Sequence, residues 1–247
     1  MRSVPEAAAV GAAGAVVAGT LGLVGGPAWA FPMAAVGGIN GALAGWCRVY
    51  DWRHPTGPLA FALDSSWALL TTTAGLFAHT VAGVSADPQY APELSERRNR
   101  HVYRNGFRPR KGFAITLGNV VSGAGDVSNP RRARLVTDHE DVHVWQARWL
   151  GPLYPVAYGG FALVGALAGV ATWVLRRVRR RPGKPPAPLG RTVEACAYYL
   201  NPLEYWAYCR DDHWPPHGMV EGLGPQRPLV RSLAAVRAGR ARRAATR

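Results

Sequence analysis

The sequence predicts an α+β protein that is mainly α-helical, has one small β element and begins with a transmembrane helical hairpin. Two apolar runs, 7–24 and 28–47, predict the hairpin, because each is just long enough to cross a bilayer as a helix. The segment 113–121 predicts the β element, since an apolar run bounded by glycine is typical of a strand. Apolar segments at 57–84 and 152–175 indicate further helices.

Glycine spacing in the second apolar run favours close packing of the two hairpin helices. Gly37, Gly41 and Gly45 fall four residues apart, and small residues at this spacing let helix backbones approach in lipid. The turn of this glycine zipper is predicted at 25–27, which reads Gly-Gly-Pro. Two alternatives remain open: a poorly ordered apolar leader, and a signal peptide with a small-residue cleavage pattern at 28–30.

The charge of the chain indicates an anionic partner. The net charge is +14 and the isoelectric point is near 10.6, which favours anionic membrane surfaces or nucleic acid. The nearly uncharged apolar start of the chain favours the membrane, and no motif or aromatic interleaving supports specific nucleic-acid binding. The three cysteines have no disulfide-framework spacing, which suits a reducing compartment.

The motif His139-Glu140-Asp141-Val142-His143 indicates a specific chemistry. Positions four apart lie on one face of a helix, so both imidazoles can bind one zinc ion. The glutamate between them can act as general base on a water molecule at the metal. His139 and His143 are therefore candidate metal ligands, and Glu140 is the candidate catalytic residue.

Helix signals surround this motif. The pair 129–130, Asn-Pro, is a helix start, because proline at the first helical position lacks an N–H that would have no partner there. The pair 151–152, Gly-Pro, is a stop. A helix over about 131–150 is therefore predicted. The alternative is a buried helix whose histidines bond to carboxylates or backbone groups.

Catalytic zinc usually has three protein ligands, and Glu204 is the best candidate for the third. The pair 201–202, Asn-Pro, starts a helix and places Glu204 in its first turn. The same position suits a capping box, in which the carboxylate bonds the backbone N–H of the cap residue. Other contenders are Glu194, His213 and His217.

Basic residues that flank the apolar segments predict the topology. Arg2 precedes the hairpin and Arg48 follows it, so the positive-inside rule puts both ends of the hairpin in the cytoplasm. Basic clusters also flank 57–84 and 152–175 on both sides, which predicts that neither segment makes a net crossing. Each would be a buried or monotopic helix, or, in the second segment, a re-entrant hairpin broken at 159–160. The metal-binding region is then expected on the cytoplasmic side of the membrane.

The histidine motif, an apolar interval, and Glu204 followed by x-x-Ala207 resemble the gluzincin metallopeptidases. The pattern looks most like the membrane zinc endopeptidases that include the CAAX prenyl proteases and the bacterial heat-shock membrane protease. This resemblance implies a zincin-like fold, a zinc ion held by His139, His143 and Glu204, and hydrolysis of peptide bonds. Tyr208 stands where the family has aspartate, which removes a group expected to support a ligating histidine.

Three further features gain an interpretation from this resemblance. Zincins place a strand before the metal-binding helix, so 113–121 is either a strand whose edge pairs with an extended peptide or an ordinary core strand or hairpin. Gln146 either lines the cleft or solvates the helix. Tyrosines around Glu204 either donate to an oxyanion or pack as aromatics; they are Tyr198, Tyr199, Tyr205 and Tyr208.

The predicted organisation has three parts. They are a transmembrane hairpin over 1–49, a zincin-like metal-binding domain over 50–223, and a basic tail over 224–247 that is disordered or lies on anionic lipid. A proline-rich linker is predicted at 179–190.

Three functional hypotheses follow from the sequence. The first is a membrane-associated zinc metalloprotease that acts on peptide or protein substrates, with Glu140 as general base. The second is a non-catalytic membrane protein that keeps a zincin-like fold as a structural or binding module. The third is a basic membrane-surface adaptor in which the motif is accidental.

Overall fold

The computed structural model describes residues 2–85, 87, 89–108, 112–179 and 187–245. The chain divides into two compact units, Met1–Tyr154 and Pro155–Arg247. The division falls inside the predicted domain 50–223 and leaves the hairpin in one unit with the histidine motif. Most of the predicted linker 179–190 lies outside the described residues.

The first unit begins with the predicted hairpin, formed by α1 (Val4–Val24) and α2 (Pro27–Trp46). The two backbones approach so closely that a Cβ atom added at Gly14 would overlap the carbonyl group of Gly37. Gly41 is equally confined against α1. Glycine spacing therefore predicts this packing correctly, because only residues without a side chain fit at such a contact.

Two helices that meet at a sharp bend follow the hairpin. The angle between α3 (Thr56–Asp64) and α4 (Leu69–Val84) is 88°, which is the geometry of a broken span or a re-entrant loop. A short helix, α5 (Pro92–Ser95), leads into the sheet.

A small mixed sheet has the strand order β1-β3-β2. In it β1 (His101–Val102) runs parallel to β3 (Val120–Ser122), and β2 (Ile115–Leu117) runs antiparallel to β3. The segment 113–121 thus forms a hairpin, which is the alternative to a single strand. The reason is the turn at Gly118, whose φ of 56° is a left-handed conformation that glycine adopts without steric cost.

The histidine motif lies on a helical segment that begins where the sequence predicts. The segment consists of α6 (Pro130–Arg134), a first π-helix (Leu135–Glu140) and α7 (Asp141–Leu150). The side chain of Asn129 caps its start by accepting hydrogen bonds from the backbone N–H groups of residues 131 and 132. The predicted helix over 131–150 is confirmed, whereas its π-helical part was not predicted.

Apolar side chains of the sheet and of the motif helix share one buried core. This core fixes the sheet against the helix that carries the histidines. Its fully buried members are Ala91, Val102, Val121, Ala124, Val136 and Val144.

A short 3₁₀ turn, Gly151–Leu153, joins the motif helix to the long helix α8 (Tyr154–Val178). The alternative of a re-entrant hairpin broken at Gly159 and Gly160 is wrong, because α8 runs through both residues. A Cβ atom added at either glycine would meet nothing within 4 Å. These glycines therefore lie on an open face of a continuous helix.

In the second unit the chain returns along α8. It does so through α9 (Leu189–Glu194), a second π-helix (Ala195–Tyr199) and α10 (Pro202–Arg210). Gly169 lies against Val193, and Gly165 lies against the Cys196 carbonyl. Small residues four apart thus let the returning segment pack closely on α8.

The predicted basic tail contains one more helix, α11 (Leu233–Ala245).

Two of the described helical segments are long and apolar enough to cross a membrane. They are α1 and the stretch Pro130–Val178, and α3 with α4 would add a third if they form one broken span. The predicted crossing over 28–47 is not among them. Only 6% of the apolar window in Pro130–Val178 is buried, and Val156 and Leu163 are more than 60% exposed. In water such a surface would be unfavourable, so these helices indicate membrane association.

Candidate metal centre

The two histidines of the motif approach each other on the buried side of their helix. Their Nε2 atoms lie 3.3 Å apart. His139 is 2% exposed and His143 is 5% exposed. Two nitrogens, each about 2.05 Å from one tetrahedral zinc ion, would be about 3.3 Å apart. The pair therefore has the separation expected of two ligands of a single metal ion.

Gln146 fixes the orientation of His143. Its Oε1 atom lies 2.8 Å from Nδ1 of His143 and can only accept a hydrogen bond, so Nδ1 carries the hydrogen. In the neutral ring, Nε2 then keeps the lone pair that a metal requires. The gluzincin pattern has an aspartate to support a ligating histidine, and Tyr208 stands at that position here. In this protein Gln146 gives His143 such support.

Glu140 is held by the sheet. The hydroxyl of Thr116, on β2, donates a 2.7 Å hydrogen bond to Oε2 of Glu140, which is itself buried. Arg100 pairs with Asp141 and ties the next residue of the motif to the segment before β1. The candidate base is therefore restrained by a strand as well as by its own helix.

Glu204 is not the capping residue of its helix. Asn201 caps α10 through its own side chain, which accepts from the backbone N–H of Leu203 at 3.1 Å. The backbone N–H of Asn201 donates to the Tyr198 carbonyl, also at 3.1 Å. Oε1 of Glu204 instead accepts a 2.7 Å hydrogen bond from the hydroxyl of Tyr158. The Glu204 carboxylate therefore does not form the capping-box hydrogen bond at the start of α10.

The structure gathers the three predicted ligands. One ligand atom from each of His139, His143 and Glu204 lies within 4.8 Å of the other two, and all three residues are buried. Among the described residues no group of this kind contains the other contenders, Glu194, His213 and His217. The gathered set of two imidazoles and one carboxylate could hold a metal ion.

A π-helix occurs at each part of the candidate metal group: the first contains His139 and precedes the helix of His143, and the second precedes the helix of Glu204. The first ends at Glu140 within the motif, and the second ends at Tyr199, shortly before α10. A π turn inserts one extra residue into a helix, re-aims the side chains after it, and occurs often at functional sites. Hydrophobic periodicity gives no sign of either insertion, so the sequence did not predict them.

The tyrosines around Glu204 have different surroundings. Burial, and then the negative charge of Glu204, raises the pKa of Tyr198, so its phenol stays neutral. Tyr205 is occupied elsewhere, since its hydroxyl accepts from the backbone N–H of Leu229 at 2.7 Å. Tyr158 donates a hydrogen bond to Glu204. The sequence did not indicate this contact, because Tyr158 lies on the apolar helix α8, far from Glu204 in the chain.

No family model, no curated protein and no solved structure matches the chain. The likeness to membrane gluzincins stays a prediction carried by the motif and by Glu204.

Proposed function

We propose that this protein is a membrane-associated, zinc-dependent metalloprotease that hydrolyses peptide or protein substrates. The observation that carries the proposal is the buried group of His139, His143 and Glu204. Two imidazoles and one carboxylate are a typical ligand set for catalytic zinc, with a fourth position for water. Burial of an ionised carboxylate beside two imidazoles is costly unless a cation compensates its charge.

Glu140 is the residue that moves protons in this proposal. It would take a proton from a water molecule during attack on the peptide carbonyl and return it to the leaving amine. Bound zinc would supply Lewis-acid activation of the water and of the carbonyl. Thr116 restrains Oε2 of Glu140, and such restraint keeps a catalytic group in its productive orientation.

Lipid contact and sidedness are part of the same proposal. The candidate spans α1 and Pro130–Val178 support attachment to a membrane. Arg134 precedes the apolar segment 152–175 and Arg176 and Arg177 follow it, so the positive-inside rule favours α8 lying in the membrane without a net crossing, with the metal centre on the cytoplasmic side. A net charge of +14 supports contact with anionic lipid headgroups.

Metal analysis of detergent-purified protein tests the metal centre. We expect about one zinc per chain, as one site of three protein ligands requires. His139→Ala should lose the metal because it removes a ligand. The matched control is His54→Ala, whose side chain is 70% exposed and pairs with Asp51, and it should keep the metal. Absence of zinc from the wild-type protein would overturn the proposal.

Peptide hydrolysis tests the role of Glu140. Glu140→Gln should keep zinc and lower hydrolysis of a peptide library by about 10²- to 10⁴-fold, because a general base is lost while the ligands remain. Glu93→Gln is the control, since this exposed carboxylate pairs with Arg104 away from the motif. Unchanged hydrolysis in Glu140→Gln would contradict the assignment, and zinc binding without any hydrolysis would favour a non-catalytic binding module.

A further inference from the structure

Tyr158 and α10 are joined at two points. The hydroxyl of Tyr158 donates a 2.7 Å hydrogen bond to Oε1 of Glu204. The backbone carbonyl of Tyr158 accepts a 3.1 Å hydrogen bond from the side-chain amide of Asn201, the cap of α10. One residue of α8 therefore fixes both the start of α10 and the rotation of the Glu204 carboxylate.

The two bonds have different consequences for the carboxylate. The bond to Asn201 uses only backbone atoms of Tyr158, so it survives any substitution of its side chain. The bond to Oε1 depends on the phenol oxygen alone. Replacing that oxygen by hydrogen would remove this bond from Oε1 and leave the position of α10 largely unchanged.

Loss of the Tyr158 bond to Oε1 matters because a carboxylate can bind a metal through one oxygen or through both. A carboxylate that binds through both oxygens raises the coordination number of zinc and competes with water for the open position. The 2.7 Å hydrogen bond from Tyr158 opposes metal binding through Oε1. To bind the metal as well, Oε1 would have to give up this hydrogen bond.

We propose that Tyr158 is a positioning residue that keeps Glu204 a one-oxygen ligand and so preserves a coordination position for water. The inference rests on the metal site of the proposed function. Tyr158 acts through Glu204 and has no direct part in bond breaking.

Substitution of cobalt(II) for zinc measures the coordination number of the metal. The visible absorption of Co²⁺ depends on coordination number and is most intense for four-coordinate sites. Full-length protein would be loaded with Co²⁺ in detergent, and spectra of wild type and Tyr158→Phe compared. We expect an intense four-coordinate spectrum for the wild type and a weaker, five-coordinate spectrum for Tyr158→Phe. Hydrolysis by the zinc form of the variant should fall by about 10- to 100-fold.

The matched control is Tyr205→Phe, which removes a phenol oxygen next to Glu204 in the chain but one that bonds to Leu229 instead. Its cobalt spectrum should equal that of the wild type. If Tyr158→Phe does not fold, Tyr158→Met and Tyr158→His are compared instead. The methionine supplies no donor and should give the five-coordinate spectrum, whereas the histidine ring N–H should keep the four-coordinate one.

The outcomes separate this inference from the proposed function. A wild-type protein that binds neither cobalt nor zinc overturns both. A wild-type protein that binds cobalt, with an identical spectrum in Tyr158→Phe, overturns the role of Tyr158 and leaves the metal site standing. A five-coordinate spectrum in the wild type also overturns the role of Tyr158.

Discussion

A second pair of histidines, His79 and His101, lies outside the candidate metal centre and shows how burial changes the pKa of a side chain. His101 on β1 is fully buried, and its Nδ1 lies 3.1 Å from the hydroxyl of Tyr90. Its ring also meets that of His79 edge to face, with the centroids 4.4 Å apart. Burial lowers the pKa of His101 well below its usual value, and the nearby His79 and Arg148 lower it further. The folded protein therefore holds this imidazole neutral.

His101 should make the free energy of unfolding depend on pH. Below about pH 6.5 the unfolded chain binds a proton at His101 and the folded chain does not, so the free energy of unfolding falls as pH decreases. His101→Asn keeps a polar group near the position of Nδ1 and cannot be protonated. We expect the loss between about pH 6.5 and pH 5.5 to be smaller by about 1 kcal/mol in the variant.

Denaturant unfolding in detergent at the two pH values measures this difference. If the free energy of unfolding changes equally with pH in the wild type and in His101→Asn, His101 is not the source of the pH dependence.

At the residue scale, the sequence predicts contacts that follow from local spacing. His139 and His143 lie four apart on one helix, and their Nε2 atoms meet as that spacing requires. Thr116 and Tyr158 contact Glu140 and Glu204 across long intervals of chain, and no spacing rule connects them. The approach of the two histidines was therefore predictable from their spacing, whereas the residues that contact the two glutamates were not.

At the element scale, the glycines of the hairpin set how closely its helices pack. A side chain at Gly14 would overlap the Gly37 carbonyl, so Gly14→Leu must push α1 and α2 apart. We expect a loss of about 1–3 kcal/mol in the free energy of unfolding, the usual cost of overpacking. Ala13→Leu adds a similar bulk on the exposed side of α1 and should have little effect.

SDS titration in mixed micelles measures the free energy of unfolding of Gly14→Leu and Ala13→Leu. A loss in Ala13→Leu as large as in Gly14→Leu would indicate a general response to bulk in this helix and would contradict tight packing at Gly14.

Glycine alone did not determine where helices end. The pair Gly25-Gly26 ends α1 because Pro27 follows it and Gly26 takes a φ of 110°. The pair Gly159-Gly160 has no proline beside it and stays helical within an apolar segment. A helix that satisfies its own backbone hydrogen bonds is the favoured state in lipid, so glycine without a second signal does not interrupt it.

At the scale of the whole first unit, a buried polar network joins the hairpin to the motif helix. Asp64 of α3 accepts two hydrogen bonds of 2.8 Å from Arg148 of α7, and both residues are 1% exposed. Tyr50 donates to the same carboxylate at 3.0 Å. Asn119 bridges Asp64 and Asn40 of α2, at 3.4 and 2.9 Å. The hairpin is thus bonded to the helix that carries His143, and no apolar pattern in the sequence could predict this.

The charge pair in this network should respond asymmetrically to substitution. Arg148→Met leaves the Asp64 carboxylate buried without its cation, which we expect to cost about 3–5 kcal/mol. The double variant Asp64→Leu/Arg148→Met removes both charges and should be clearly more stable than the single variant, because no uncompensated charge remains. Arg104→Met, which breaks the more exposed pair with Glu93, should cost under about 1 kcal/mol.

Free energies of unfolding and zinc content, measured on the same preparations, decide what the network does. Arg148 lies on the same helix as His143, so loss of zinc in Arg148→Met that the double variant restores would mean that an unpaired charge distorts the helix. Loss of zinc in both variants would instead mean that the hairpin positions the histidines through these bonds. A single variant as stable as the wild type would contradict a buried ion pair at this position.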